Sequence, residues 1–464
     1  MIDFKNIEGI YFVGIGGIGM SALALYFAKG GYSVAGYDRS ESRITTSLTE
    51  NGCSVTYDDD PGTLSELFRN TSEKQRVIIV YTPAIPAENR IISFFRDNGY
   101  QIYKRSEILG EISNNTDTIA IAGTHGKTTM STMTAHLLKQ SHVDCSAFLG
   151  GISKNYETNL LLGDSRYTVM EADEFDRSFH RLKPLIAVIT SVDADHLDIY
   201  GDQQTMIKAY NEFCGKIRPG GDLIVNSRII KDIIVPKDVT CHTYSVDSEA
   251  DFRSYDIKHC QGYYSFNFRS ESTTIKDLHF AFPGIINIEN FTAAIAIALM
   301  CGVTEQEIRK AVLLFQGVRR RFDIRINLPG LTFVDDYAHH PEEIRACISS
   351  IKEYFGSRKI TGIFQPHLFS RTRDHAEGFA KILDELDEVI LLPIYPAREK
   401  PIEGVSSGLI FDKMKLLKKR MLEKSDIPGK LDRNQIDVLL TIGAGDIDTL
   451  VAPIEAKLRR EKSE

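Results

Sequence analysis

The sequence predicts an α/β protein of three tandem domains, and three observations predict it. At 464 residues the chain is too long for one core. Apolar strand-like runs alternate with helical patterns along most of its length. Three of those runs end in glycine-bearing turns, around Gly14–Gly19, Gly123–Gly126 and Gly443–Gly445, the place where parallel α/β sheets hold their ligands.

Composition agrees with packed domains throughout. Hydrophobic residues make up 42% and charged residues 25%, with no Trp, no low-complexity tract and no internal repeat. The formal net charge of −8 offers no general attraction to nucleic acid or to an anionic membrane, so anionic substrates must be captured by local lysines, arginines and helix ends. Residues Met1–Glu8 lack the basic and apolar regions of a secretion signal, and no apolar run is long enough to cross a bilayer; the expected location is cytoplasmic, without membrane insertion. Seven scattered cysteines, Cys53, Cys145, Cys214, Cys241, Cys260, Cys301 and Cys347, form no Cys-x-x-Cys pair and are expected to be reduced and structural.

The first domain, expected over 1–116, opens with strand Ile10–Val13, then Gly14-Ile15-Gly16-Gly17-Ile18-Gly19 and an apolar helix to about Lys29. A second strand, Ser33–Tyr37, ends at Asp38. Gly14, Gly16 and Gly19 with an acid about twenty residues on satisfy the dinucleotide fingerprint of a Rossmann-like domain, which alone suggests a nicotinamide dehydrogenase. Val77–Tyr81 and a strand near Ile102 continue a parallel sheet, and polar Ser113–Thr116 reads as the link onward.

The central domain, expected over 117–323, begins at Ala120–Thr129. Strand, glycine turn and helix start are the build of a phosphate cradle: backbone N–H groups of Gly123, Thr124, His125 and Gly126 converge on an anion, Lys127 reaches the β/γ-phosphates, and Thr128, followed by Thr129, can hold Mg²⁺. The general pattern places a further glycine where Ile121 stands, so the loop is a shortened variant. Strands are expected at Thr168–Met170, ending at Glu171, and at Leu185–Thr190, followed by Asp193-Ala194-Asp195-His196. An acidic run is commonly a solvated loop, but two such runs beside a phosphate loop can converge on a metal. From Val239 to Phe282 alternation such as Tyr263–Phe268 predicts a small antiparallel sheet within this P-loop ATPase-like domain, before a helix from Ile288 to Cys301.

The third domain, 324–464, again reads as Rossmann-like, with strands Leu331–Val334, Lys359–Phe364, Val389–Leu392 and Val438–Ile442. It carries Asp335-Asp336-Tyr337-Ala338-His339-His340-Pro341 and Gln365-Pro366-His367-Leu368-Phe369-Ser370-Arg371-Thr372-Arg373. The first reads as a helix N-cap region before Pro341 or as a substrate loop; its paired acids and histidines also invite zinc, at a spacing unlike the common ligand sets. Arg371 is either a surface ion pair or a carboxylate clamp.

As a set, residues 14–21, 123–129, 171–174, 195–198, 335–341 and 365–373 resemble the Mur ligase family, and the likeness spans nearly the whole chain. The resemblance, to the alanine-adding branch, implies ATP-dependent joining of L-alanine to the lactyl carboxylate of UDP-N-acetylmuramate through an acyl phosphate. That is an early cytoplasmic step of peptidoglycan synthesis, and so of cell-wall building. Gly14, Gly16, Gly17 and Gly19 would then face the UDP pyrophosphate, with Asp38 a nucleotide contact. Thr128 and Glu171 would hold one Mg²⁺ or Mn²⁺, and Glu171 with His196 a second. Asn287 and Asn290 resemble ATP-side asparagines, Arg321 the arginine near the domain junction, and His339 the substrate-side histidine, with Arg371 on the amino acid. The place where related ligases carry a carbamylated lysine aligns with Tyr210-Asn211, and Leu368 stands where some members have an arginine. A ligase attaching a recycled tripeptide shares most of these motifs; a dehydrogenase and a non-catalytic nucleotide switch are the readings from other classes. Oligomeric state is left open.

Overall fold

The computed structural model describes residues 2–460 apart from 3, 5, 84, 87, 194–196, 261–262 and 398. The chain divides into two compact units, Met1–Ala281 with Ile286–Gln316, and Phe282–Ile285 with Gly317–Glu464. The first unit holds two sheets.

Its first sheet consists of β1 (Gly9–Val13), β2 (Ser33–Tyr37), β3 (Ser54–Thr56), β4 (Val77–Tyr81) and β5 (Gln101–Lys104) in the order β3-β2-β1-β4-β5, all parallel. This is the doubly wound order, whose switch point lies between β1 and β4, beside the glycine turn. Every residue of β1 is buried because the helix Ile18–Lys29 covers one face and an aromatic cluster of Tyr11, Phe68 and Phe95 fills the other. Residues Ser113 and Asn114 end the helix Arg105–Asn114 rather than forming a link, and Ser113 is fully buried, accepting the Lys183 N–H at 3.0 Å. Its hydroxyl is polar in composition but satisfied inside, which a reading by polarity alone misses.

The second sheet contains β6 (Asp117–Ala122), β7 (Ser146–Ser153), β8 (Thr158–Leu161), β9 (Tyr167–Glu171), β10 (Ile186–Ile189), β11 (Asp222–Asn226), β12 (Thr240–Ser245), β13 (Phe252–Cys260), β14 (Tyr263–Arg269) and β15 (Thr274–Phe280). Their order is β15-β14-β13-β12-β11-β10-β6-β9-β7-β8. The antiparallel strands expected after Val239 are continuous with the parallel sheet, because β12 and β13 pair in parallel before β13, β14 and β15 turn back on one another. Hydrophobic packing joins the two sheets of this unit: Tyr26 meets Phe148 at 5.3 Å, and buried Asn159 donates to the Ile18 carbonyl at 2.5 Å and to Ser21 Oγ at 3.0 Å.

Behind the second sheet, His136 ties the helix Lys127–Lys139 to the helix Glu305–Leu314. Its Nε2 lies 2.9 Å from the Ala311 carbonyl and its Nδ1 3.1 Å from the Tyr156 hydroxyl. A carbonyl can only accept, so Nε2 carries the proton and the neutral ring satisfies both neighbours. Burial pushes this imidazole from 6.5 down to about 4, against a smaller upward pull from the Ala311 carbonyl. Unfolding therefore takes up a proton between pH 6.5 and about 4, and stability falls as pH is lowered through that window. His136→Gln is expected to remove about 3 kcal/mol of that decline, read as the difference between the two proteins' urea midpoints at pH 7 and pH 4. Parallel pH profiles would contradict it.

In the second unit β16 (Asp323–Leu328), β17 (Leu331–Asp336), β18 (Ile360–Phe364), β19 (Glu388–Leu391), β20 (Lys419–Met421) and β21 (Val438–Ile442) run β16-β17-β21-β18-β19-β20. All neighbours are parallel except the hairpin β16–β17. The turns after β17, β18 and β21 therefore open at one end of the sheet. Residues Arg319–Phe322 fall in this second unit.

Candidate functional site

The phosphate-loop candidate sits at the end of β6, between β9 and β10. Gly123 has φ +130° and a Cβ there would stand 2.0 Å from Thr190 Oγ1; Gly126, at φ +82°, opens the helix that starts at Lys127. Both conformations favour glycine. The segment after β10 stitches the loop down: Ser191 Oγ accepts the His125 N–H at 3.0 Å, Thr190 Oγ1 donates to the His125 carbonyl at 2.5 Å, and Thr124 Oγ1 accepts the Asp193 N–H at 3.0 Å. His125 Nε2 lies 3.6 Å from Asp193. A Cβ on Gly126 would stand 3.0 Å from Asn290 Oδ1, which places buried Asn290 against the loop, with Asn287 one turn away and also buried.

Lys127 is folded back across this loop. Its Nζ donates to the Gly123 carbonyl at 2.7 Å and to the Thr124 carbonyl at 3.3 Å, and meets the Glu174 carboxylate at 2.8 and 2.7 Å. Burial alone would lower the ammonium pKa, but Glu174, Asp173 and Glu171 together outweigh it and raise it. Glu174 is 1% exposed; burial pushes its carboxyl up to about 7, with Lys127 pulling the other way. Sequence reading passed over Glu174 because its partner is a lysine distant in the chain.

Glu171 ends β9, and a Cβ on Gly150 of β7 would come 2.1 Å from its Oε2, so the missing side chain at 150 makes the room in which this carboxylate lies. Thr128 is buried in the first turn of the helix. Thr128 at the helix start and Glu171 at the end of the neighbouring strand supply a hydroxyl and a carboxylate, oxygen donors of the kind Mg²⁺ or Mn²⁺ takes. His196 lies outside the described residues. Among the described residues no group of three or more His, Cys, Asp or Glu side chains is placed to hold a metal ion.

At the end of β1 the glycine turn makes a second cradle. Gly14 has φ +90°, and a Cβ on Gly16 would stand 2.8 Å from Asp38 Oδ2, which accepts the Gly16 N–H at 2.7 Å. Asp38 Oδ1 accepts the Arg39 N–H at 2.7 Å, so each oxygen of this acid is already engaged by backbone. Gly17 precedes the helix, and Gly19 lies against Arg105, whose guanidinium is 3.6 Å from Asp173.

The second unit collects its polar groups where β17, β18 and β21 end. Asp336 accepts the Phe322 N–H at 2.7 Å and the Ala338 N–H at 2.8 Å, while Asp335 bonds Thr441 Oγ1 at 2.7 Å and faces Arg320 at 3.4 Å. Burial pushes Asp335 up to about 6 against the pull of Arg320. These acids brace their own loop instead of presenting a zinc site. Arg320 and Arg321 both lie 5.0 Å from the Tyr337 ring centroid. His339 Nδ1 donates to the Tyr337 carbonyl at 3.0 Å, which leaves the lone pair of the neutral ring on Nε2. Burial holds its pKa below the ordinary value, Glu343 opposing and Arg371 and Arg321 assisting. His339 and His367 rings are 5.9 Å apart, and Arg371 Nη1 is 3.4 Å from His367 Nδ1. Arg371 therefore points into this cluster, whereas Arg373 forms a half-exposed pair with Asp374. His340 caps the helix Pro341–Phe355, accepting the Glu342 N–H. Leu368 holds φ +70°, a strained value for a side-chain-bearing residue, just before the helix that carries Arg371.

Three family models match in succession: "Mur ligase family, catalytic domain" over 9–116, "Mur ligase middle domain" over 121–298 and "Mur ligase, glutamate ligase domain" over 320–445. The UDP-N-acetylmuramate–L-alanine ligase of Parabacteroides distasonis is 46% identical over 461 residues, covering 99% of each chain. Its counterpart in Porphyromonas gingivalis is 47% identical over 453 residues, covering 97% of this chain and 99% of the relative. The crystal structure of a UDP-N-acetylmuramate-alanine ligase from Thermotoga maritima superposes with a TM-score of 0.81 at 26% identity, covering 98% of this chain and all of that one.

Proposed function

The chain belongs to the Mur ligase family, and from that premise we propose that it joins L-alanine to the lactyl carboxylate of UDP-N-acetylmuramate, converting ATP to ADP and phosphate. The observation that carries the reading is the Gly123–Lys127 loop, set between the strand bearing Glu171 and the strand leading to Asp193, in a chain similar over its full length to alanine-adding ligases. A structure of a murein peptide ligase from Psychrobacter arcticus shares the fold at 20% identity, which does not carry its substrate across.

A carboxylate is a poor electrophile, so the chemistry runs in two steps. A lactyl carboxylate oxygen attacks the γ-phosphorus of ATP, the bond to the bridging oxygen breaks, and ADP leaves behind an acyl phosphate. The uncharged amine of alanine then attacks the acyl carbon, and the tetrahedral intermediate collapses with loss of phosphate and of the amine's extra proton. Lys127 and the N–H groups of Gly123–Gly126 offset charge on the transferring phosphoryl group. Thr128 and Glu171 would hold Mg²⁺, with His196 joining Glu171 at a second ion; bound there, the metal neutralises phosphate charge. Asn287 and Asn290 line the nucleotide side, and Arg321 lies at the start of the second unit. Arg371 takes the alanine carboxylate, and His339 offers an unprotonated nitrogen to the amino-acid side. Such a reaction draws on cytoplasmic ATP and a sugar nucleotide, so the protein works in the cytoplasm on small molecules, in peptidoglycan precursor synthesis.

Gly14, Gly16, Gly17 and Gly19 hold the UDP pyrophosphate, and Asp38 shapes their turn through Gly16 instead of awaiting a nicotinamide ribose. Calorimetry with the full chain is expected to show heat from UDP-N-acetylmuramate and none from NAD; the reverse pattern would overturn the assignment. The reading as a whole is tested by ADP release across a panel of UDP-sugars and amino acids. Alanine with UDP-N-acetylmuramate should give the highest rate. A tripeptide preferred over alanine would move the protein to the peptide-recycling branch.

A further inference from the structure

We infer that Glu174 is a resident counter-anion for Lys127, occupying the lysine in the nucleotide-free enzyme and yielding it to the phosphates of ATP. An ammonium has three N–H donors and no acceptor. Lys127 spends them on the Gly123 carbonyl, the Thr124 carbonyl and the Glu174 carboxylate, so a phosphate oxygen can be bound only by displacing one of these. Two of the three are neutral carbonyls of the loop itself. The third is an anion, 1% exposed, in a pocket where Asp173 already adds negative charge.

Bringing phosphate charge to a cation that is already neutralised sets two anions against each other at short range, where the burial of Glu174 leaves solvent screening weak. Glu174 is the partner ATP must displace. Two further contacts fix it where it competes: the Tyr200 hydroxyl donates to the Glu174 backbone carbonyl at 2.6 Å, and the Phe179 N–H holds the neighbouring Asp173 carbonyl at 3.0 Å. The same pair keeps the lysine ordered across the loop before substrate arrives, where it would otherwise be a buried charge without a counter-ion. Glu174 is thus a positioning residue that trades nucleotide affinity for a stable, preformed empty site.

The inference rests on the nucleotide reading of this loop, and the test separates the two. ATP is titrated by calorimetry into the full chain with Mg²⁺ at pH 8, above the carboxyl's value of about 7 and without the other substrates, for wild type and Glu174→Gln. Glu174→Gln keeps the size of the side chain and removes its charge, so it is expected to bind ATP about tenfold more tightly, to melt lower when empty, and to gain more in Tm from ATP than wild type does. A merely structural role lowers Tm without tightening ATP. Unchanged or weaker ATP binding in the variant, against a wild type that binds, would overturn the inference alone. Absence of ATP binding by wild type would overturn the nucleotide reading and the inference with it. Should Glu174→Gln fail to fold, Glu174→Asp stretches the ion pair by one methylene and is expected to tighten ATP about threefold, by the same electrostatic argument at longer range; equal or weaker binding there overturns the inference as well.

Discussion

Lys127→Ala is expected to lower turnover at least about a hundredfold while the protein stays folded, because a charge aimed at a transferring phosphoryl group in a closed site contributes several kcal/mol to the transition state. The fold should tolerate the change. Removing Lys127 leaves Glu174 buried without its cation, and a carboxyl already pushed up to about 7 takes a proton in preference to staying charged. Steady-state ADP release at saturating substrates, with circular dichroism to establish folding, checks the result. Near-normal turnover in a folded variant would remove the phosphate-loop assignment.

Arg371→Lys is expected to raise the KM for alanine about tenfold and leave that for ATP unchanged, because lysine keeps the charge but loses the paired donors that fit a carboxylate. The expectation follows from position: Arg371 lies against His367 and acts on His339, whereas Arg373 is spent on Asp374 at the surface. An exposed ion pair would contribute little to either constant. If alanine KM is unchanged while ATP or the sugar nucleotide binds more weakly, Arg371 serves another pocket, and the amino-acid site must be sought at His339 or Arg373.

How much of this was legible in the sequence follows from which features depend on a single residue type. Gly14, Gly123 and Gly126 have positive φ, so their turns could be read from the letters, as could the apolar runs that became β1, β4, β6 and β21. Features that depend on a partner far along the chain could not. Tyr263–Phe268 announced a strand through its alternation, but nothing in it said that β13 would pair in parallel with β12 and so extend the main sheet. Ser113 looked like linker because hydroxyls are common there, while in the fold it is buried with its hydroxyl satisfied by the Lys183 N–H. Asp38 fitted a fingerprint by spacing, and only the fold shows its carboxylate closing on Gly16. Glu174 stood in an acidic run whose neighbour Glu171 drew attention as a metal ligand, and its pairing with Lys127 arises because β9 lies beside β6.

The central claim is that UDP-N-acetylmuramate is activated as an acyl phosphate, whose acyl group is passed to alanine with loss of phosphate. It is tested most directly by supplying UDP-N-acetylmuramate labelled with ¹⁸O in the lactyl carboxylate, together with ATP and L-alanine, and analysing the products by mass spectrometry. The expected result is ADP, phosphate and the alanyl amide in equal amounts, with one labelled oxygen in the phosphate, since the oxygen that attacks phosphorus leaves with it. Phosphate free of label, or ADP release that does not depend on alanine and the sugar nucleotide together, would contradict the account.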